Sequence, residues 1–175
     1  MTQASYTLPD ELLTLARRVL DENRAAGLRI AVAESCTGGL VSAALTEIPG
    51  SSDVFEAGFV TYSNEAKHQV LGVGEEVIET FGSVSVACAW AMANGAIEKT
   101  NADVAVSITG IAGPGGGSEQ KPVGTVVFSR AVRGQEFDEA MADMKNFGDL
   151  GRAGVRLQAA LCALELLLPS SSPSP

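Results

Sequence analysis

The 175-residue chain has a single histidine, His68, and only three cysteines, Cys36, Cys88 and Cys162. One histidine argues against a zinc site and against a histidine-based catalytic triad, so a serine nucleophile in this chain would need another base. Three cysteines far apart in the sequence indicate a reduced, cytoplasmic protein rather than a disulfide scaffold. We therefore expect a cytoplasmic chain that binds no metal.

Basic residues are also few, because 12 lysines and arginines face 21 aspartates and glutamates and leave a net charge of −9. Nucleic-acid binding through phosphates needs a basic face, so this charge argues against a nucleic-acid partner. No uninterrupted apolar stretch approaches the roughly 18 to 20 residues of a membrane span. Glu165 interrupts the best candidate, "LCALELLL", and "MTQASYTLPDE" does not resemble a signal peptide. We expect neither nucleic acid nor membrane as a partner.

The chain does have a high apolar content, 46% of its residues, which is enough for one substantial core. Segments 28–33 and 102–109 are short and continuously apolar, which is typical of strands covered on both faces. Segments 125–132 and 136–144 alternate around Arg133-Gly134, which indicates a hairpin. The full pattern predicts the order α-β-α-β-α-α-α-β-β-β-α. It therefore predicts an α/β fold.

We expect that fold to be a single three-layer α/β/α domain with a mixed sheet, extending over residues 1–168. Residues 169–175, "PSSSPSP", are predicted to be a disordered tail. We also expect the chain to form a homo-oligomer.

The segment "AESCTGGLVSAAL" follows the first predicted strand and places Ser35 at a strand-to-helix turn. The backbone N–H groups of residues 36–39 are expected to be free there, and such a turn stabilises an anion or an oxyanion. Alternatively, Ser35 or Thr37 simply caps the following helix, since both residue types are preferred caps. These residues alone leave open whether Ser35 or Cys36 is a nucleophile, or whether neither is.

A possible base follows the next predicted strand. Tyr62 ends that strand, and Lys67 lies about one helical turn later. A desolvated lysine can lose its charge near neutral pH and act as a base, while a tyrosine can relay a proton or hold the lysine. The alternative is that Lys67 is a solvated helix charge. His68 is adjacent and diverges by about 100° on the helix, so we interpret it as a packing residue.

A third loop, "TGIAGPGGG" at 109–117, is rich in glycine, so its amides can approach a ligand closely. It is not a P-loop, because no Gly-Lys-Ser/Thr follows. Ligands in open α/β sheets bind at the carboxyl ends of strands, so we expect loops 34–39, 62–67 and 109–117 to converge. The alternative is that the glycine loop is only a flexible connector.

Together these segments resemble a known family. "AESCTGGLVSAALTEIPGSS", "FEAGFVTYSNEAKHQVLGV", "SITGIAGPGGGSEQKPVGTV" and the arginine-bearing last helix are similar to the CinA C-terminal-domain family, whose characterised activity is nicotinamide-nucleotide amidohydrolase. The resemblance runs from about residue 10 to 168. It implies the fold of that family, in a stand-alone form without the N-terminal domain that some members carry.

The resemblance also implies a reaction, hydrolysis of the carboxamide of nicotinamide mononucleotide (NMN) to nicotinic acid mononucleotide and ammonia, without a cofactor. It makes Ser35, Tyr62 and Lys67 the catalytic residues, while Cys36 supports the turn. The residues expected to bind substrate come from the turn, the glycine loop and the last helix: Cys36, Thr37, Gly38, Gly39, Thr109, Gly110, Gly113, Gly115, Gly116 and Arg152.

The substrate's phosphate needs local donors in so acidic a chain, and Arg152 or Arg156 is expected to supply one. The chain departs from its relatives in two places. Val86 and Ala87 stand where acidic residues are common, and "FGDLGRAGVR" interrupts the usual Gly-Asp-Arg. Two other functions stay open: a non-catalytic nucleotide-binding or regulatory module linked to competence or DNA damage, and an amidase for a related small amide.

Overall fold

The structure is a computed structural model, and it describes residues 8–135 and 141–169. The helices in the described part are α1 (Asp10–Ala26), α2 (Leu40–Thr46), α3 (Asn64–Leu71), α4 (Glu75–Phe81), α5 (Val86–Glu98) and α6 (Gly151–Leu166). The strands are β1 (Ile30–Glu34), β2 (Phe55–Val60), β3 (Val104–Gly110), β4 (Thr125–Val132) and β5 (Met141–Asn146). None of the helices in the described ranges is both long and apolar enough to cross a membrane.

The five strands form one mixed sheet in the order β2-β1-β3-β4-β5. β1 is parallel to both β2 and β3, whereas β4 is antiparallel to β3 and β5. Because β1, β2 and β3 are parallel, their carboxyl ends meet at one sheet edge, where Glu34 pairs with Val60 on one side and Ile108 on the other. The mixed sheet is confirmed, and the loops after these three strands start side by side.

The strands are covered on both faces because alternate side chains point to opposite sides of the sheet. Ile30 and Val32 of β1 belong to the core cluster that contains α1, α2 and α6. Ala31 and Ala33 belong to the second cluster, with α5 and the end of α3. This confirms the predicted three layers. Small residues let α5 lie close to its neighbours, since a Cβ on Gly95 would stand 2.1 Å from the carbonyl oxygen of Leu71.

Three helix ends have the capping residues that local sequence preferences favour. Ser63 caps α3 by accepting a hydrogen bond from the N–H of Ala66, and Ser85 caps α5 by accepting one from Cys88. Gly27 ends α1 in the left-handed region, with φ at 69°. These signals act within one turn of chain, so the sequence predicts them well.

The last strand extends beyond its predicted end at residue 144. Within the described residues β5 comprises Met141–Asn146, and Asn146 pairs with Thr125 at the start of β4. The main-chain pairing of β5 with β4 determines where β5 ends. This pairing continues to Asn146, although apolar and polar side chains no longer alternate clearly there. The predicted strand residues 136–140 and the tail residues 170–175 lie outside the described ranges.

Candidate active site

Ser35 directly follows β1 at the edge where the parallel strands end, and it is 7% exposed. Its N–H donates to the carbonyl of Ile108 at 2.9 Å, so the residue is held against β3 as well. The chain then turns through Gly38 and Gly39, whose φ angles are +59° and +95°. These positive φ values require glycine and direct the chain into α2.

The cap of α2 is the side chain of Glu34. This buried carboxylate accepts hydrogen bonds from the N–H groups of Gly39 (3.1 Å), Val41 (3.2 Å) and Ser42 (2.9 Å), and from the Ser42 hydroxyl (2.8 Å). The alternative interpretation, that Ser35 or Thr37 caps the helix, is therefore wrong. A carboxylate placed before the serine satisfies the helix terminus and leaves the Ser35 hydroxyl for another partner.

The expectation of four free N–H groups after Ser35 is also wrong. The N–H of Gly38 donates to the carbonyl of Ser35 at 3.0 Å, and that of Gly39 is taken by Glu34. Within the described part of the chain, the N–H groups of Cys36 and Thr37 donate to no acceptor. Of the four N–H groups, two therefore remain to stabilise an oxyanion.

Lys67 provides the partner for Ser35. Its Nζ lies 3.0 Å from Ser35 Oγ, 2.9 Å from the carbonyl oxygen of Thr61 and 3.4 Å from that of Tyr62. The side chain is 2% exposed, so the interpretation of Lys67 as a solvated charge is wrong. Among the described residues, no carboxylate forms an ion pair with it. Burial lowers the pKa of Lys67 below its usual value of about 10.4.

The contacts of Nζ accommodate both protonation states of the amine. The ammonium donates to all three oxygens, those of Thr61, Tyr62 and Ser35. The neutral amine, which burial favours, has two N–H groups for the two carbonyls and a lone pair that can accept the hydroxyl proton of Ser35. A serine with a neutral amine as its base is an arrangement that nucleophilic catalysis can use. His68 takes no part, because its Nδ1 lies 2.8 Å from the carbonyl oxygen of Val73.

Cys36 is adjacent to Ser35 but is a poorer nucleophile. Its side chain is 5% exposed, and burial raises the pKa of its thiol to about 11. The reactive form of cysteine is the thiolate, which this pKa makes scarce near neutral pH. The geometry thus favours Ser35.

Tyr62 and Arg152 lie together at the mouth of the site. Arg152 Nη2 donates to the Tyr62 hydroxyl at 2.8 Å, and Nη1 donates to the carbonyl of Gly113 at 2.8 Å. The Tyr62 side chain is 58% exposed, and it is the main-chain carbonyl of this residue that contacts Lys67. The phenol is therefore placed to meet a ligand rather than to hold the lysine.

Arg156, one turn further along α6, has a different position. Its Nε donates to the carbonyl of Cys36 at 3.1 Å and its Nη2 to that of Thr37 at 2.9 Å. Arg156 therefore connects the turn after Ser35 to the last helix, whereas Arg152 contacts Tyr62 and Gly113 at the mouth of the site.

Two adjoining cavities open above these residues. The first, of about 170 Å³, is lined by Ser35, Cys36, Tyr62, Lys67, Ser83, Val84, Thr109, Gly110, Ala112 and Arg152. The second, of about 440 Å³, is lined by Gly82, Ser83, Val84, Gly110, Ile111, Ala112, Gly113, Gly115, Gly116, Ser118, Lys121 and Arg152. The three predicted loops thus converge, and five lining residues are common to both cavities.

The cavities divide the residues predicted to bind substrate. Cys36, Thr109 and Gly110 line the first cavity, and the loop glycines 113, 115 and 116 line the second. Thr37, Gly38 and Gly39 line neither cavity, so their binding role stays a prediction. Sequence reasoning missed seven lining residues: Gly82, Ser83, Val84, Ile111, Ala112, Ser118 and Lys121. Only Lys121 had a usable signal, as the one cation at the end of the glycine loop.

Comparison with known proteins gives consistent results. Residues 12–170 match the family described as the CinA C-terminal domain. A nicotinamide-nucleotide amidohydrolase, PncC, of Escherichia coli K12 is 50% identical over 159 residues, which are 90% of this chain and 93% of that protein. A CinA-like protein of Mycobacterium avium is 53% identical over 143 residues, 81% of this chain; the chain spans about a third of the length of that relative.

The fold has a close experimental counterpart. The crystal structure of the competence/damage inducible protein CihA from Agrobacterium tumefaciens is 47% identical and superposes with a TM-score of 0.88. The superposition covers 93% of this chain and 97% of that one.

Proposed function

The chain belongs to the CinA C-terminal domain family, and we propose that it is the amidohydrolase that converts NMN to nicotinic acid mononucleotide and ammonia. The observation that carries the proposal is the 3.0 Å contact between Lys67 Nζ and Ser35 Oγ at the base of the first cavity. Relatives about 50% identical over most of this chain are named nicotinamide-nucleotide amidohydrolase, which supports an amidohydrolase activity.

In the acylation half-reaction, neutral Lys67 takes the hydroxyl proton of Ser35 while Oγ forms a bond to the amide carbon. The C–N bond then breaks, and the ammonium of Lys67 returns that proton to the leaving nitrogen, which departs as ammonia. The products of this step are a serine ester of the pyridine carboxylate and a neutral lysine.

Deacylation uses the same groups in reverse. Lys67 takes a proton from water, whose oxygen attacks the ester carbon, and the bond to Ser35 Oγ breaks as the serine regains a proton. In both halves we assign stabilisation of the oxyanion to the N–H groups of Cys36 and Thr37, which follow the nucleophile in the chain and have no acceptor among the described residues. Tyr62 assists by orienting Nζ through its carbonyl and by bounding the cavity mouth with its phenol.

The competing functions make different demands on the site. A non-catalytic nucleotide-binding module would have no use for a lysine that is 2% exposed and hydrogen-bonded to a serine. An amidase for another small amide would share the dyad but would not need a cavity that extends beyond it. The larger second cavity favours a substrate with a further part attached to the amide-bearing ring.

The test is ammonia release from NMN by the purified protein and by two variants that differ at neighbouring positions. Ser35→Ala should lose nearly all activity, on the order of 10³-fold or more, since nucleophilic catalysis is removed. Cys36→Ser is the matched control and should retain most of it. An active Ser35→Ala enzyme with an inactive Cys36→Ser enzyme would reverse the assignment, and no ammonia from NMN with the wild type would reject the substrate.

A further inference from the structure

The walls of the two cavities have a charge opposite to that of the whole chain. The chain carries a net charge of −9, yet the described residues that line the cavities include two cations, Arg152 and Lys121, besides the neutral base Lys67, and no aspartate or glutamate. Lys67 lies at the base of the first cavity, Arg152 lies where the two meet, and Lys121 lines the second. A cationic lining in an acidic protein attracts an anionic group locally, against the long-range field.

Lys121 has spare hydrogen-bonding capacity. Its Nζ donates to the main-chain carbonyl of Phe81 at 3.1 Å, and within the described residues it forms no ion pair with a carboxylate. A lysine ammonium has three N–H donors, so two remain for a ligand. The carbonyl contact also limits the side chain's movement and holds the charge beside the second cavity.

Lys121 is positioned by the glycine loop itself. The Ser118 N–H donates to the Lys121 carbonyl at 2.9 Å, and the Lys121 N–H donates to Ser118 Oγ at 3.0 Å, which closes a tight turn. This turn brings the lysine to the same cavity as Gly115 and Gly116, where the loop has no side chains to obstruct a ligand. The loop thus presents a fixed cation next to accessible backbone.

We infer that the second cavity is a phosphate subsite in which Lys121, together with Arg152, binds the phosphoryl group of the substrate and makes the enzyme selective for a nucleotide over its nucleoside. This inference rests on the proposed function, because it takes the amide to lie at Ser35 in the first cavity. The five lining residues common to both cavities make them one continuous cleft, which suits a substrate with the reacting amide at one end and a dianion at the other.

Lys121 is a specificity-determining residue in this arrangement. A phosphate contact that is unchanged between ground state and transition state affects KM rather than kcat. Loss of this contact should therefore raise KM for the nucleotide. It should have little effect on KM for a nucleoside, which has no phosphate to bind.

The experiment compares kcat/KM for NMN and for nicotinamide riboside in the wild type, Lys121→Met, Lys121→Arg and Lys99→Ala. Lys121→Met should lower the nucleotide-to-nucleoside ratio by roughly 10- to 100-fold, mostly through KM, as expected for a lost charge-assisted contact. Lys121→Arg keeps the charge and should restore most of the ratio. Lys99→Ala removes one positive charge from an exposed position outside both cavities and controls for net charge.

The outcomes separate this inference from the proposed function. If NMN is hydrolysed but Lys121→Met leaves the ratio of the two kcat/KM values unchanged, the subsite is rejected while the function stands. The same holds if the variant lowers kcat/KM for both substrates equally. If the wild type releases no ammonia from NMN, the function fails, and calorimetric titration with inorganic phosphate then decides the subsite. Phosphate binding to the wild type that is lost in Lys121→Met supports the subsite, and equal or absent binding in both rejects it.

Discussion

Lys67→Met is the perturbation that most directly tests the buried amine. Methionine has a similar length and no titratable group, so the variant removes the charge equilibrium while nearly filling the space. In the wild type the side chain is 2% exposed without a carboxylate partner among the described residues, and burial lowers its pKa. The unfolded chain has the ordinary lysine pKa of about 10.4.

The sign of the effect follows from proton linkage. Between the lowered pKa of folded Lys67 and about 10.4, the unfolded state binds one proton that the folded state does not. Stability due to this group therefore rises with pH in that window, by up to about 1.4 kcal/mol per pH unit. Above the window the desolvation penalty has disappeared, and below it the penalty is complete. Methionine has no such dependence.

The assay is the free energy of unfolding in urea, measured for the wild type and for Lys67→Met from pH 6 to pH 10.5. The quantity to plot is the difference between the two, since the titrations of other groups largely cancel. We expect wild-type stability to rise relative to the variant as pH increases. Ser35→Ala is the control, because it keeps the amine and should keep the slope.

The activity of the wild type should follow the same group. The rate should rise with pH along a limb whose midpoint matches the pH at which the stability difference begins to rise, since both report the pKa of Lys67 in the folded protein. A stability difference that is flat over the whole range, or that falls as pH rises, would refute the reasoning that burial favours the neutral amine.

The remaining predictions concern residues that hold or extend the site. Glu34→Gln replaces one oxygen that accepts hydrogen bonds from the start of α2 by an NH₂ group that faces backbone N–H donors. The variant should lose about 3 kcal/mol in the free energy of unfolding and roughly 6–12 °C in melting temperature. An unchanged melting temperature would contradict this role. Arg152→Ala should raise KM for NMN more than for the riboside, because Arg152 lines the second cavity. Arg156→Ala should lower kcat for both substrates alike, because Arg156 donates hydrogen bonds to the carbonyls of Cys36 and Thr37. If Arg156→Ala alone raised KM for NMN selectively, Arg156 rather than Arg152 would be the phosphate contact.

The sequence by itself determined the parts of this protein that depend on short stretches of chain. The continuous apolar segments predict the buried strands β1 and β3, and the serines before α3 and α5 predict their caps, because both signals act within a few residues. The convergence of the three loops was predictable too, since parallel strands bring their carboxyl ends to one edge.

The direction of individual side chains was decided only by the tertiary structure. Ser35 and Lys67 are 32 residues apart, and the parallel pairing of β1 with β2 brings them to a single hydrogen bond. No local pattern distinguishes a buried lysine from a solvated one, because the packing around Nζ comes from other elements of the chain. The same holds for Arg152 and Arg156, which are one helical turn apart and have different partners.

The cap of α2 illustrates the limit of local reasoning most clearly. The preference of serine and threonine for caps favoured Ser35 or Thr37, but the carboxylate of Glu34 takes that position. Glu34 reaches the helix because the turn through Gly38 and Gly39 folds the first N–H groups back over the end of β1. That path depends on the sheet and on Arg156 of the last helix, 120 residues beyond Cys36, and contacts at such separations leave no periodic trace in the sequence.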